Sequence, residues 1–163
     1  MSIETKIGIE PIIRGEEWRF NQDGIHVLSK LFQQLSPYRR PLSMEDFLKM
    51  VDEGECLLAV DLCQNGHIVG IARLVPQGQV PSRFGIVHDV VVDTAYRGQH
   101  IGKRLMERAI EIARRQRLTH LELTSKPARV AANRRYQSLG FELTIPADPK
   151  DPASTNHYRL MLG

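Results

Sequence analysis

Asp89 to Met106 read D-V-V-V-D-T-A-Y-R-G-Q-H-I-G-K-R-L-M, and this stretch decides the fold of the chain. It begins with a β-branched apolar run, which predicts a strand, and from about Gln99 its apolar residues recur at helical spacing. The first N–H groups of a helix lack intrahelical partners, and the helix dipole adds partial positive charge there. Because glycines and the cationic residues Arg97 and Lys103 flank this helix start, the junction predicts an anion-binding site.

Spacing argues against two nucleotide-binding motifs at this junction. A P-loop has four residues between its glycines and a Ser or Thr after its lysine, whereas three residues separate Gly98 from Gly102, and Arg104 follows Lys103. The dinucleotide-binding pattern G-x-G-x-x-G is also absent. A nucleoside triphosphatase is therefore rejected.

The junction does resemble the pyrophosphate-binding motif of the GNAT superfamily of acetyl-CoA-dependent N-acyltransferases, R/Q-x-x-G-x-G/A. In this chain the motif reads Arg97-Gly98-Gln99-His100-Ile101-Gly102. His100 stands where the family usually has glycine, and its amide can still donate to a phosphate if the backbone is helical and the ring points outward. A second family signature, a helix that ends in Tyr and is followed by Gly and an aromatic residue, resembles the stretch from Arg129 to Phe141.

The resemblance implies that acetyl-CoA is the co-substrate and lies where the central strand and the strand after the crossover helix splay apart. The pantetheine arm would bond the backbone of the central strand, and the pyrophosphate would bind the N–H groups at the helix start. The cofactor-binding residues that it implies are Val90, Val91, Val92, Arg97, Gly98, Gln99, His100, Ile101, Gly102, Lys103, Arg129 and Asn133.

Three residues are candidates for the chemistry of acetyl transfer. An amine must lose a proton before it attacks a thioester, so a base with a pKa near 7 is needed, directly or through water. His88 and Asp89 interrupt an apolar strand just before the motif, where a polar group is costly unless it is paired or used, and each is a candidate for this role. Tyr136 matches the family's Tyr that protonates the departing thiolate. A structural role stays open for all three residues.

Length and composition indicate one globular domain over residues 1–163, since the chain is 42% hydrophobic and 25% charged. The apolar runs are far shorter than the roughly 20 residues of a membrane span, and Met1 to Lys6 show no signal-peptide pattern, so we expect a cytoplasmic protein without membrane contact. A net charge of +3 is too mild to indicate nucleic acid, and the Arg-rich helix lacks an aromatic and basic platform. We find no metal-ligand cluster, and we expect Cys56 and Cys63, placed in one strand on opposite faces, to be reduced packing residues.

The remaining patterns predict an α/β fold with the element order β-α-α-β-β-β-α-β-α-β-β. The expected architecture is a mixed, mainly antiparallel seven-stranded sheet with helices on both faces and a central parallel β-α-β pair. Both faces of the central strand are mostly apolar, so we expect both to be covered. The predicted strands are 6–14, a hairpin around Asn65-Gly66, 84–92, 119–124, 141–145 and 156–162. The predicted helices are 24–35, a short helix after Ser43, 99–117 and a helix to Leu139.

The loop that carries Tyr38, Arg39 and Arg40 is either an exposed connector or, as the resemblance implies, a border of the acceptor pocket. Arginine forks favour carboxylate and phosphate groups, so we hypothesise a small-molecule amine that also carries an acidic group. Acetylation of a protein amine and a non-catalytic acyl-CoA-binding regulator are the alternatives. Assembly as a homodimer is left open.

Overall fold

The computed structural model describes residues 5–12 and 21–163 and confirms the predicted α/β fold and element order. Residues 13 and 14, the predicted end of the first strand, lie outside the described residues. The strands and helices are β1 (Ile7–Pro11), α1 (Gln22–Leu35), α2 (Met44–Glu53), β2 (Glu55–Asp61), β3 (His67–Gln77), β4 (Phe84–Val92), α3 (Ile101–Arg115), β5 (His120–Ser125), α4 (Val130–Ser138), β6 (Glu142–Ile145) and β7 (Asn156–Met161).

The strands form the predicted seven-stranded, mainly antiparallel sheet in the order β1-β2-β3-β4-β5-β7-β6. Strands β4 and β5 are parallel, with Gly85 opposite Leu121 and Ile86 opposite Glu122. The pairs β1–β2, β2–β3, β5–β7 and β6–β7 are antiparallel. Helix α3 connects the two parallel strands, as a parallel pair requires. The splay of this pair stays a prediction.

Two compact units make up the chain, so the expectation of a single domain stays a prediction. The first unit comprises the chain up to Val75 together with His88–Ala109. Its core contains apolar side chains of α1, and the residues buried in it include Ile25, Leu28, Leu31, Phe32, Phe47, Met50, Val51, Leu58, Val60, Ile68, Ile71 and Val91. This core fixes the two helices whose connecting loop carries the predicted acceptor residues.

Local signals placed the ends of several elements correctly. Helix α2 begins at a capping box, in which the Ser43 hydroxyl accepts from the Asp46 amide at 3.1 Å and the Asp46 carboxylate accepts from the Ser43 amide at 2.9 Å. Asn65 and Gly66, with φ of 53° and 73°, form the left-handed turn between β2 and β3. Cys63 lies in the short helical turn Leu62–Gln64 and not in the strand, and it is exposed, whereas Cys56 is buried. The structure shows no disulfide bond among residues 5–12 and 21–163.

The second unit comprises Pro76–Val87 and Ile110–Gly163. In it, α4 ends in a Schellman motif: the Phe141 amide donates to the Tyr136 carbonyl at 3.0 Å, and the Gly140 amide donates to the Gln137 carbonyl at 3.0 Å. Gly140 has a φ of 91°, which glycine adopts without steric cost. The predicted stop at Gly140 is confirmed.

One face of β4 is more open than predicted. Val87 and Val91 are buried, but Val90 and Val92 are half-buried and His88 is exposed. The expectation that both faces of this strand are covered is therefore wrong for the face that carries His88. Across residues 5–12 and 21–163, no helix is long and apolar enough to cross a membrane.

Candidate active site

The predicted anion site lies at the start of α3, which begins at Ile101 and not at Gln99. Gly98 and His100 both have positive φ, 82° and 58°, so the expectation of helical backbone at His100 is wrong. Glycine adopts positive φ freely, and other residues do so at a cost, which explains why glycine suits the position that His100 occupies. The Arg104 amide donates to the His100 carbonyl at 3.1 Å, and this bond starts the helix.

The amides of the first turn are available to an anion because they precede the first intrahelical bond. These amides belong to Ile101, Gly102 and Lys103. Lys103 is half exposed and lies 3.7 Å from Glu107, a loose contact that leaves its ammonium able to reach a phosphate. Arg104 has a different function, since its guanidinium donates to the Ile7 carbonyl at 2.9 Å and ties α3 to β1.

Two further residues of the predicted phosphate loop bond to neighbouring elements. Arg97 Nε donates to the Val92 carbonyl at 3.3 Å, which folds its side chain back over the end of β4. Gln99 Oε1 accepts from the Thr5 hydroxyl at 2.7 Å. These bonds hold the loop from both sides and pre-organise the amides that follow it.

Asp89 is a half-buried polar residue of β4, and two arginines pair with it. Its Oδ1 lies 2.8 Å from Arg39 and its Oδ2 lies 3.0 Å from Arg73, while its side chain is only 9% exposed. Its φ of 53° is uncommon outside glycine and marks a local break in the strand. Both carboxylate oxygens of Asp89 are therefore engaged in ion pairs, and its role in catalysis stays a prediction.

Arg73 and Glu53 were missed by the sequence prediction. Arg73 lies in β3 with 11% of its side chain exposed, and it also pairs with Glu53 at 2.7 Å. Burial by itself lowers the pKa of Arg73, but the hydrogen bond to Asp89 and the neighbouring negative charges outweigh burial and raise it. The sequence did contain a signal for this pair. Arg73 in β3 and Asp89 in β4 carry opposite charges in otherwise apolar segments, and a charge in such a segment is costly unless it is paired.

His88 has the properties of a proton acceptor. Partial burial lowers the pKa of His88 from its ordinary value of 6.5, and the cations of Arg73 and Arg39 contribute in the same direction. The carboxylates of Asp89 and Glu53 act against this shift without reversing it. The imidazole is therefore neutral at pH 7, which is the form that accepts a proton.

The three residues of the predicted acceptor loop differ in their contacts. Arg39 pairs with Asp89, and its guanidinium carbon lies 5.3 Å from the centre of the Phe32 ring. Arg40 instead makes a two-bonded ion pair with Asp46 in the capping box of α2, at 2.6 and 2.7 Å. Tyr38 is 97% exposed. We therefore keep Arg39 and leave Arg40 out of the proposed acceptor site.

Asp46 shows how firmly Arg40 is engaged. The hydrogen bonds from Arg40, followed by those from Ser43, lower the pKa of the Asp46 carboxyl far below its ordinary value. The same pair raises the pKa of Arg40. Arg40 thus stabilises the start of α2 and has little capacity to bind a second anion.

Three predicted site residues lie in the second unit. Arg129 is the N-cap residue of α4. Asn133 donates from its side-chain amide to the carbonyls of Lys126 at 3.0 Å and Pro127 at 3.3 Å. Its Oδ1 is buried and has no hydrogen-bond partner in the part of the chain that the structure describes. This oxygen is therefore an unsatisfied hydrogen-bond acceptor.

Tyr136 is 6% exposed, and its ring contacts those of Phe141 and Tyr158 at centroid distances of 6.2 and 5.9 Å. These contacts give Tyr136 a packing role. Burial raises the pKa of Tyr136, because it disfavours the phenolate. The hydroxyl therefore stays protonated at neutral pH, as a proton donor must, and its catalytic role stays a prediction.

Comparison with known families decides which group of proteins shares this arrangement. The family model described as "Acetyltransferase (GNAT) family" matches residues 22–141, which is most of the chain. The chain belongs to the GNAT acetyltransferase family. The resemblance inferred from the Arg97–Gly102 motif is confirmed.

Individual relatives of this GNAT chain differ in what their names say they acetylate. It is 28% identical to N-acetylaspartate synthetase of Danio rerio over 127 residues, and this aligned region covers 69% of this chain and 44% of the relative. It is 36% identical over 78 residues to the N-alpha-acetyltransferase RimI of Mycobacterium tuberculosis, 47% of each chain. The chain thus spans about half the length of the curated relatives it matches.

Solved structures agree on the fold. The structure of yncA from Salmonella typhimurium with its cofactor acetyl-CoA superposes with a TM-score of 0.73 at 16% identity, covering 98% of this chain and 95% of that one. At such identity the likeness concerns the fold alone. An acetyltransferase of Staphylococcus aureus gives a TM-score of 0.69 at 19% identity over 97% of this chain and 100% of that one.

The residues of this GNAT chain fit the groups of acetyl-CoA in two observed ways. The first turn of α3 presents amides with no intrahelical acceptor, beside the half-exposed cation of Lys103, and this suits a pyrophosphate. The orphaned Oδ1 of Asn133 suits an amide donor, and the pantetheine arm carries amide N–H groups.

Proposed function

We propose that this GNAT protein transfers an acetyl group from acetyl-CoA to the primary amine of a small molecule that also carries an acidic group. The observation that carries the proposal is the half-exposed Arg39 guanidinium, which lies 2.8 Å from the carboxylate of Asp89, the residue that follows His88 in β4. A guanidinium fork binds carboxylates with two parallel hydrogen bonds, and a neutral imidazole accepts the proton that an attacking amine must lose.

The proposed mechanism assigns His88 to the amine. Bound acetyl-CoA supplies a thioester whose carbonyl carbon the amine attacks, so that a C–N bond forms and the C–S bond breaks. The ammonium nitrogen loses two protons on becoming an amide: His88 passes one to solvent, and the other neutralises the thiolate of coenzyme A. Tyr136 keeps the role that the family resemblance implies: it donates its proton to that thiolate, and the second proton of the amine nitrogen restores the phenol.

The remaining residues bind and orient. In this proposal the amides of Ile101, Gly102 and Lys103 hold the pyrophosphate, and the backbone of β4 from Val90 to Val92 bonds the pantetheine arm. Asn133 accepts from that arm. Asp89 fixes the amine, because its carboxylate is held in place by Arg73 and its negative charge attracts an ammonium.

A second candidate acceptor is the N-terminal α-amine of a protein. Similarity to the N-alpha-acetyltransferase RimI favours it, whereas similarity to N-acetylaspartate synthetase favours an acidic small molecule. The two relatives match comparable fractions of their own lengths, so the contacts of Arg39 decide our preference.

Two measurements test the proposed function. Isothermal titration calorimetry with acetyl-CoA and with S-acetyl-pantetheine, which lacks the pyrophosphate, should show much weaker binding of the shorter thioester if the start of α3 holds the pyrophosphate. A thiol-release assay should then compare small acidic amines, simple monoamines and short peptides with free N-termini. Fastest release with the peptides would favour the second candidate, and no release with any amine would contradict the proposal.

A further inference from the structure

Four side chains of the first unit form a row of alternating charge: Glu53, Arg73, Asp89 and Arg39. We refer to these four as the charge row. The successive contacts measure 2.7 Å from Glu53 to Arg73, 3.0 Å from Arg73 to Asp89 and 2.8 Å from Asp89 to Arg39. Two carboxylates and two guanidiniums make the row neutral overall, so a ligand that enters it without disturbing the balance must itself be neutral or zwitterionic.

The contacts of the charge row differ in accessibility. Arg73 and Asp89 are 11% and 9% exposed, so their contact is shielded from solvent. Arg39 is 44% exposed, and its Nη1 lies 2.8 Å from Oδ1 of Asp89. An ion pair with one exposed partner contributes little to stability and exchanges readily. The Glu53–Arg73 contact also has an exposed partner, since Glu53 is 58% exposed. We take the Arg39–Asp89 contact as the one that a ligand opens, because each of its partners has a second contact, Asp89 with Arg73 and Arg39 with the Phe32 ring.

Both partners of this contact stay oriented when it opens. The Arg39 guanidinium lies over the Phe32 ring at 5.3 Å, a cation–π contact that does not depend on Asp89. Asp89 keeps its bond to Arg73, which is held in turn by Glu53. Opening the contact thus exposes a fixed cation facing a fixed anion.

We infer that this protein binds the zwitterion of an α-amino acid between Arg39 and Asp89, with the carboxylate on Arg39 and the ammonium on Asp89. The inference rests on the proposed function and narrows its acceptor. The α-ammonium and the carboxylate of an amino acid are bonded to the same carbon atom. With the ammonium next to Asp89 and the carboxylate next to Arg39, positive and negative charges still alternate along the row. Both ends of the ligand gain charge-assisted hydrogen bonds.

Other amines satisfy only part of this arrangement. A monoamine that displaces Arg39 from Asp89 leaves the guanidinium without a carboxylate, and the N-terminus of a peptide does the same because its α-carboxyl is an amide. The location of His88 agrees with an ammonium at Asp89. His88 adjoins Asp89 in β4, and in this inference its imidazole takes the proton from that ammonium.

Matched substrates test the inference without changing the protein. The full chain with acetyl-CoA would be assayed for thiol release with a set of L-amino acids, with the α-carboxamide of each, and with tripeptides that begin with the same residue. The carboxamide keeps the amine and the side chain and removes only the negative charge. We expect kcat/KM to be about 10- to 100-fold higher for the best amino acid than for its carboxamide, as for the loss of a charge-assisted hydrogen bond.

Variants locate the carboxylate. In Arg39→Gln the preference for acid over carboxamide should fall to nearly one, mainly because the amino acid is used less well. Arg40→Gln is the matched control, since it removes the neighbouring guanidinium, whose partner is Asp46, and it should keep the preference.

The outcomes separate the inference from the proposed function. Equal use of acids and carboxamides by the wild-type protein, or faster use of the tripeptides, overturns the amino-acid inference and leaves acetyl transfer standing. Loss of the preference in Arg40→Gln but not in Arg39→Gln overturns the assignment of Arg39. If no amine of any kind releases thiol although acetyl-CoA binds, the proposed function fails and the inference fails with it.

Discussion

Replacement of Arg73 by Met should destabilise the protein more than any exposed ion pair can account for. Methionine fills much of the same space without charge, and Arg73 is 11% exposed and bonded to Asp89 and Glu53. Removal of one partner of a buried pair costs about 3–5 kcal/mol when the other charge is left uncompensated. Asp89 keeps Arg39 and Glu53 is 58% exposed, so we expect a smaller loss, about 2–3 kcal/mol in the free energy of unfolding.

That loss corresponds to a melting temperature lowered by about 4–12 °C for a chain of this length. The assay is thermal unfolding followed by circular dichroism at pH 7, with urea denaturation to check that the slope m is unchanged. Arg115→Met is the matched control, because Arg115 is 67% exposed and pairs with Glu111 one turn away on α3. Such a pair contributes about 0.3–0.5 kcal/mol, so the control should lose no more than about 2 °C. An equal loss in the two variants would refute the idea that a buried charge pair holds Asp89.

Three further predictions concern single residues. The value of kcat/KM should rise with pH through the pKa of His88, with a midpoint below 6.5, because the neutral ring is the active form. His88→Gln should lack this rise and be slower by about 100-fold or more. The same pH-dependent rise in the variant would exclude His88 as the base. His100→Gly should change the free energy of unfolding by less than about 1 kcal/mol, because glycine removes the cost of the positive φ but gives the unfolded chain more freedom. His100→Val should lower the free energy of unfolding, measured by urea denaturation, by more than about 1 kcal/mol. Equal stability of the two variants would contradict the strained φ. A thiol reagent at pH 8 should label only the exposed Cys63 in the native protein and both cysteines in urea. The reason is that Cys56 is 1% exposed and burial raises its pKa to about 11. Rapid labelling of Cys56 in the native protein would mean that the core of the first unit opens.

Most of the fold could be predicted because its signals are local. The capping box needs only Ser43 and Asp46, three residues apart, and the hairpin turn needs only the Asn65-Gly66 dipeptide. Gly140 marks a helix end through the sign of one backbone angle. Signals of this kind depend on neighbours in the sequence, so they survive without knowledge of the tertiary structure.

The start of α3 shows where local reasoning fails. Apolar spacing extends the helix to Gln99, but Gly98 and His100 take left-handed backbone and delay its start to Ile101. Residues other than glycine adopt that conformation at a cost, so the path of the preceding loop imposes it on His100. The sequence could show that His100 replaces a glycine, but not which backbone angle follows.

The charged site was predicted only in part, because partners far apart in the sequence decide its chemistry. Asp89 was correctly singled out as a polar intrusion, but its pairing with Arg73 depends on the alignment of two strands. Arg39 and Arg40 are adjacent and chemically identical, yet one reaches Asp89 and the other reaches Asp46. Nothing in their local sequence distinguishes them, and only the path of the loop between α1 and α2 does.

Acetyl transfer to an amine is the central claim, and mass spectrometry of the acceptor tests it most directly. The purified chain would be incubated with acetyl-CoA and a mixture of L-amino acids, their carboxamides and short peptides, beside an enzyme-free control. The account predicts that an amino acid gains the mass of one acetyl group on its α-nitrogen, in step with release of free coenzyme A. Hydrolysis of acetyl-CoA with every amine unchanged, or no turnover of bound acetyl-CoA at all, would contradict it.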